Sequence, residues 1–211
     1  MPLLLGILVC ALFVHRQCNM EKPFLDVTTL RNRNYAISVI ASMLLYLVMM
    51  GSSVMMPLYV QTVMGYSAVI SSLVTLPGSL ATAIVSPLAG RIYDKMGIKK
   101  LFLIGAAALL VSNMGMVFLT RSMPLWVAAI LNVIRNISVG SLMMPLLTWG
   151  TSNVYPKKVV DASSLLTSFR TIAGSIGSAV FVGIMSIVST RSVEEYGDDA
   201  LIHGMNLSFL C

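Results

Sequence analysis

Charge is what this sequence has least of. Only 10% of its 211 residues are charged, where a soluble domain carries about 25%. Apolar residues make up 57% and the mean hydropathy is +0.87. A chain of this composition cannot keep a soluble surface wet, which excludes a cytosolic enzyme, a disordered tail and a secreted disulfide scaffold. Cysteine is equally scarce. Cys10, Cys18 and Cys211 are an odd number without ligand spacing, so neither a zinc site nor a disulfide framework is indicated, and no cofactor is implied. All eight acidic residues fall between apolar runs or at their ends, and the histidines, His15 and His203, lie at or beyond run ends. A protonatable carboxylate buried within a span is therefore missing from the whole chain. No nucleophile–base pair or metal cluster appears either, which argues against an enzyme.

What the chain does have is length of apolar run. A spanning helix needs about 20 mostly apolar residues. Five segments qualify, at 35–60, 67–90, 101–120, 125–148 and 163–189, each bounded by polar or Gly/Pro punctuation. None alternates strictly between apolar and polar residues, so a β-barrel is excluded. The expected fold is all-α, a multi-pass membrane bundle occupying 35–189, with the lipid bilayer as its first partner. The ends differ. Residues 1–14 are apolar but too short to span, lacking both a basic leader and a cleavage site, and read as the second half of a helix. Residues 15–34 read as a linker, 190–204 as an acidic loop, and 205–211 as the start of a last, truncated helix. The expectation is a fragment cut inside one helix and at the start of another.

Net charge is +6, yet the Lys and Arg residues punctuate apolar runs rather than cover a face, which argues for membrane loops and against nucleic acid. If 15–34 is cytoplasmic and the sides alternate, that side receives Arg16, Lys22, Arg31, Arg33, Arg91, Lys95, Lys99, Lys100, Lys157 and Lys158. The outer side receives only Arg121 and Arg191. The positive-inside rule thus places loops 15–34, 91–100 and 149–162 in the cytoplasm.

Two arginines remain inside spans. Arg135 falls about ten residues into its run, near the bilayer midplane, where a charge costs at least about 2.5–3.5 kcal/mol. We read it as facing a water-filled cavity or a partner on another helix, with Asn132 one turn earlier on the same face. The alternative is an interhelical pin bonded to backbone carbonyls. Arg170 lies one to two turns inside its span, close enough to snorkel to the interface, so cavity and structural readings are balanced there. Beyond it, Gly174, Ser175, Gly177, Ala179 and Gly183 form a small-residue tract, with Ser175, Ala179 and Gly183 four apart, expected to be a helix-packing face. Pro57, Pro77, Pro87 and Pro145 each remove a backbone donor within or at the end of a span. The methionine pairs Met49-Met50, Met55-Met56 and Met143-Met144 read as gap-fillers.

The segment from Gly90 to Lys100 resembles the signature loop of the major facilitator superfamily, through Gly90, Ile92, Asp94, Lys95, Gly97, Lys99 and Lys100. Glycines there allow a tight turn, and Asp94 can face the N-terminus of the next helix. The resemblance implies that this loop controls the change between inward- and outward-facing states. Other segments resemble the EmrB/QacA-type drug–proton antiporters with fourteen helices. They include Phe24-Leu-Asp-Val, Pro57-Leu-Tyr-Val-Gln61, Leu76-Pro-Gly78, the stretch from Arg135 to Pro145, and Phe169-Arg170 with Gly174-Ser-Ile-Gly177. Asn136 and Ser138 stand where glycines are usual beside the arginine, and Ser72 replaces another. The resemblance implies the C-terminal bundle of an exporter in the plasma or inner membrane. It would expel amphipathic or cationic compounds, with protons carried through an N-terminal half outside this chain. The alternatives are a half-size partner subunit and a facilitator-fold carrier for a metabolite.

Overall fold

The computed structural model describes residues 27–118, 120, 123–191 and 200–210, and every regular element among them is helical. A single-turn 3-10 segment, Val27–Arg31, leads into α1, Arg33–Leu58, which ends in a π-turn at Tyr59–Val63. A long, largely helical run then covers Ala68–Val117. Its 50 residues would stretch about 75 Å as one straight helix, far beyond the bilayer's hydrocarbon core of about 30 Å. The run breaks at Gly97, whose φ of 76° only glycine adopts readily, giving α2 (68–96) and α3 (98–117). After these come α4, Leu125–Ser152, α5, Val159–Arg191, and α6, Ala200–Leu210. The apolar stretches long enough to span are Arg33–Val63, Ala68–Val117, Leu125–Ser152 and Pro156–Thr190. With the break at Gly97 they supply the five expected spans. The boundaries differ, because residues beyond the apolar runs, such as 91–96 and 159–162, are helical too, and α6 begins at Ala200 rather than 205. The expected half-helix at 1–14 lies outside the described residues.

Local chemistry sets the helix ends. The Asn32 side chain accepts from the Asn34 and Tyr35 amides at the start of α1, and Ser67 caps α2. Pro57 removes a donor just ahead of the π-turn, where the helix has widened.

In lipid, helices associate through close packing and interhelical hydrogen bonds rather than hydrophobic burial. Both are visible here. The Tyr35 hydroxyl donates to the Ala162 carbonyl at 2.7 Å, and Tyr59 to the Thr120 carbonyl at 2.7 Å. Ser112 reaches Leu131 at 2.8 Å, Ser208 reaches Phe181 at 3.2 Å, and Ser38 reaches the Leu146 carbonyl. Such bonds average about 0.6 kcal/mol each, so several together fix register more than they supply stability. α4 packs against α2, α3 and α1, while α5 lies along α1 and carries α6 on its far end. Successive contacts, Tyr35 with Ala162 and Gly51 with Phe181, ascend in both chains, so α1 and α5 run parallel.

A large apolar cluster closes one end of the bundle around Met55, Met56, Tyr59, Val74, Met116, Ala128, Met185 and Met205. A smaller one, Tyr35, Val39, Ala162, Leu165 and Leu166, lies at the opposite end, beside the loops rich in Lys and Arg.

Candidate functional site

Between those clusters the spans bury polar groups. Arg135 is 5% exposed and Asn132 1%. The guanidinium donates through Nη2 to Asn132 Oδ1 at 3.0 Å, and Asn136 Nδ2 reaches the same oxygen at 3.0 Å. The i, i+3 and i, i+4 spacing of a helix makes this triad possible on one face of α4. Across the interface, Thr82 of α2 donates to the Asn136 carbonyl at 3.1 Å. Gly78 of α2 leaves room for the amides: a Cβ there would sit 2.7 Å from Asn136 Nδ2 and 3.2 Å from Asn132 Nδ2. The asparagine that stands in a glycine position is thus accommodated by a glycine on the facing helix. The second guanidinium terminus, Nη1 of Arg135, is buried and has no hydrogen-bond partner. A buried donor left unpaired costs about 1–3 kcal/mol, more when charged, and the two carboxylates of the described spans, Asp94 and Asp161, lie at helix ends beside the Lys- and Arg-rich loops.

Arg170 does not snorkel. The helix starts at Val159, earlier than the apolar run, so Arg170 lies about three turns along it rather than one to two. It is 6% exposed, its guanidinium carbon 5.2 Å from the Tyr46 ring centroid on α1. A cation over an aromatic face gains about 0.5–2 kcal/mol. Nε and Nη2 remain buried and unpartnered.

The small-residue tract divides between two faces. Gly174 meets Tyr46 and Met50, and Gly177 lies directly against the Leu47 backbone, where any side chain would collide. Ser175 and Ala179 are exposed, and nothing lies within 4 Å of a Cβ built on Gly183. The expected stripe of Ser175, Ala179 and Gly183 is therefore not where α5 packs. The packed face runs through Leu166, Arg170, Ala173, Gly174, Gly177 and Phe181. On the open face Ser164, Thr171 and Ser175 donate to their own helix's carbonyls at 3.0, 2.9 and 3.0 Å, four residues back.

In the segment 90–100 only Gly97 makes a turn. Gly90 lies within α2 and has open space around it. Asp94, Lys95, Lys99 and Lys100 are all exposed, and Asp94 forms no capping hydrogen bond to α3. Asp94 lies inside α2, which runs on helically to 96, four residues ahead of the start of α3. Buried Ser42 and half-buried Tyr46 belong with these groups but carry no sequence signal, being ordinary residues in an apolar run.

Comparisons with known proteins agree with this architecture. The family profile of the Major Facilitator Superfamily matches residues 3–178. The chain is 28% identical to the MFS-type transporter YcnB of Bacillus subtilis over 99% of its length and 44% of the relative's. It is 28% identical to the lincomycin resistance protein LmrB of Listeria monocytogenes, covering 87% of this chain and 39% of LmrB. Against the riboflavin transporter RibZ of Clostridioides difficile it is 26% identical, over 83% of this chain and 39% of RibZ. The chain thus spans roughly two fifths of the curated relatives it matches. These relatives are transporters and resistance proteins rather than enzymes, and with the spanning bundle described above the chain belongs to the Major Facilitator Superfamily of integral membrane proteins.

Proposed function

We propose that this chain works as one helical bundle of an EmrB/QacA-type exporter that expels amphipathic or cationic drugs and other toxic compounds by proton antiport. In this reading it sits in the plasma or inner membrane with loops 15–34, 91–100 and 149–162 cytoplasmic. The bundle rocks against a second one to alternate access. The observation that carries it is Arg135, a buried cation with an unpartnered Nη1, while the carboxylates of the described spans, Asp94 and Asp161, lie at helix ends. A charge kept at such cost marks a pathway or a coupling element, and the match to a resistance protein supports export. Asn132 and Asn136 orient its other terminus. Proton coupling then depends on acidic groups outside these spans. Gly97 serves as the pivot of the loop bearing Gly90, Asp94, Lys95, Lys99 and Lys100.

Expression of the intact gene in an efflux-deficient host, with lincomycin susceptibility and ethidium accumulation as readouts, tests this reading. Arg135→Ala is expected to abolish efflux at unchanged membrane abundance. Unimpaired efflux in that variant removes the assignment. The likeness to a riboflavin transporter favours a second reading, a carrier for a metabolite. Uptake of riboflavin with no change in drug susceptibility would select it.

A further inference from the structure

A second group of unpartnered polar atoms lies between α1 and α5, away from the Arg135 triad. Its level in the bundle follows from helix register. Ser38 donates to the Leu146 carbonyl, and Gly150 packs beside both Ser38 and Leu166. Ser42 and Arg170 each lie four residues, one helical turn, beyond Ser38 and Leu166 on parallel helices. They therefore share the next level of the same junction. Ser42 is 1% exposed and its Oγ has no hydrogen-bond partner, while Arg170 presents Nε and Nη2 without one. Tyr46, one turn beyond Ser42, lies under the guanidinium.

Every unmet group here can donate and none is an anion. A guanidinium whose face is covered by an aromatic ring keeps its in-plane N–H groups for a planar acceptor, and the two-oxygen geometry of a carboxylate matches such a fork. A hydroxyl at the same level supplies a third donor. We infer that Arg170, Tyr46 and Ser42 form a binding site for the carboxylate of an amphipathic small molecule. The ring is the apolar platform beside the charge that such a molecule needs. The inference rests on the transport reading and extends its substrate class to amphipathic compounds that carry an acid group.

The test uses the protein as its gene encodes it, in lipid nanodiscs, with calorimetric titration of 2-naphthoate and its uncharged analogue 2-naphthamide. Saturable naphthoate binding is expected, with naphthamide weaker by at least about tenfold, the scale of a lost charge-assisted hydrogen bond. Arg170→Gln should abolish binding, Arg170→Lys should retain part of it, and Tyr46→Leu should weaken it with the anion preference intact. Inorganic phosphate and chloride in excess should not compete. Circular dichroism and monodispersity of each variant separate lost binding from lost folding, and the lysine variant keeps the charge if the glutamine variant misfolds. Absence of naphthoate binding overturns the inference in favour of a counter-ion supplied by an acidic side chain of the protein itself. Binding unchanged in Arg170→Gln, or shared equally by naphthamide, also overturns it. Drug efflux by a protein that binds no naphthoate would leave the transport reading standing alone. Naphthoate binding without any efflux would do the reverse.

Discussion

The end of the bundle around Met55 and the level of Arg135 and Arg170 are built on opposite terms. At the first, six helices converge around Met55, Met56, Val74, Met116, Ala128, Met185 and Met205, and Phe181 meets Phe209 edge to face at 6.2 Å. Flexible thioethers fill whatever gaps helix geometry leaves, and the polar groups there, the hydroxyls of Tyr59 and Ser208, each find a carbonyl. At the second, three polar side chains are as well buried but leave atoms unpartnered: Ser42, Arg135 and Arg170. Burial therefore means different things in the two regions. One holds the helices together, and the other holds polar groups ready at a cost in stability.

Substitutions can break that contrast. Met55→Ala, at a fully buried position, should cost about 2–5 kcal/mol through the cavity it opens, read as a fall in thermal midpoint in detergent. Gly177→Val drives a branched side chain into the Leu47 backbone and should cost about 1–3 kcal/mol, seen as lost monodispersity and α1–α5 separation. Gly97→Ala forces a Cβ onto a φ of 76°, a strain of about 1–2 kcal/mol. Its main readout is slower transport at normal abundance. Arg135→Met should change stability least, by less than about 1 kcal/mol, because removing an uncompensated buried charge offsets the lost contact. Asn132 Oδ1 also keeps its bond from Asn136 at 3.0 Å. Efflux should nevertheless vanish. If Arg135→Met instead destabilises as much as Met55→Ala, the arginine is a pin and the two regions are alike.

The spans were legible because lipid imposes a length and a composition that no packing detail overrides. Gly97 showed as a breaker, and Arg135 with Asn132 showed by charge and spacing. Their partners did not show, since Thr82 and Gly78 are ordinary helix residues until α2 is laid against α4. The face of α5 was misjudged because small residues occur on both its sides. A strict four-residue spacing selected Ser175, Ala179 and Gly183, whereas the packed line through Leu166, Arg170, Ala173, Gly177 and Phe181 follows a period nearer 3.6. The apolar run sets Arg170 too near the interface because the helix begins at Val159 and takes in polar Asp161, which the run leaves outside.

The open face of α5 has one more consequence. Ser164, Thr171 and Ser175 each spend their only proton on a carbonyl of their own helix. The face is hydroxyl-bearing by composition but has no donor left to offer, so a surface lying against it meets acceptor oxygens only. Ile172, Ile176 and Val180 stand exposed beside those hydroxyls, so a partner for this face would need apolar bulk with donors placed between.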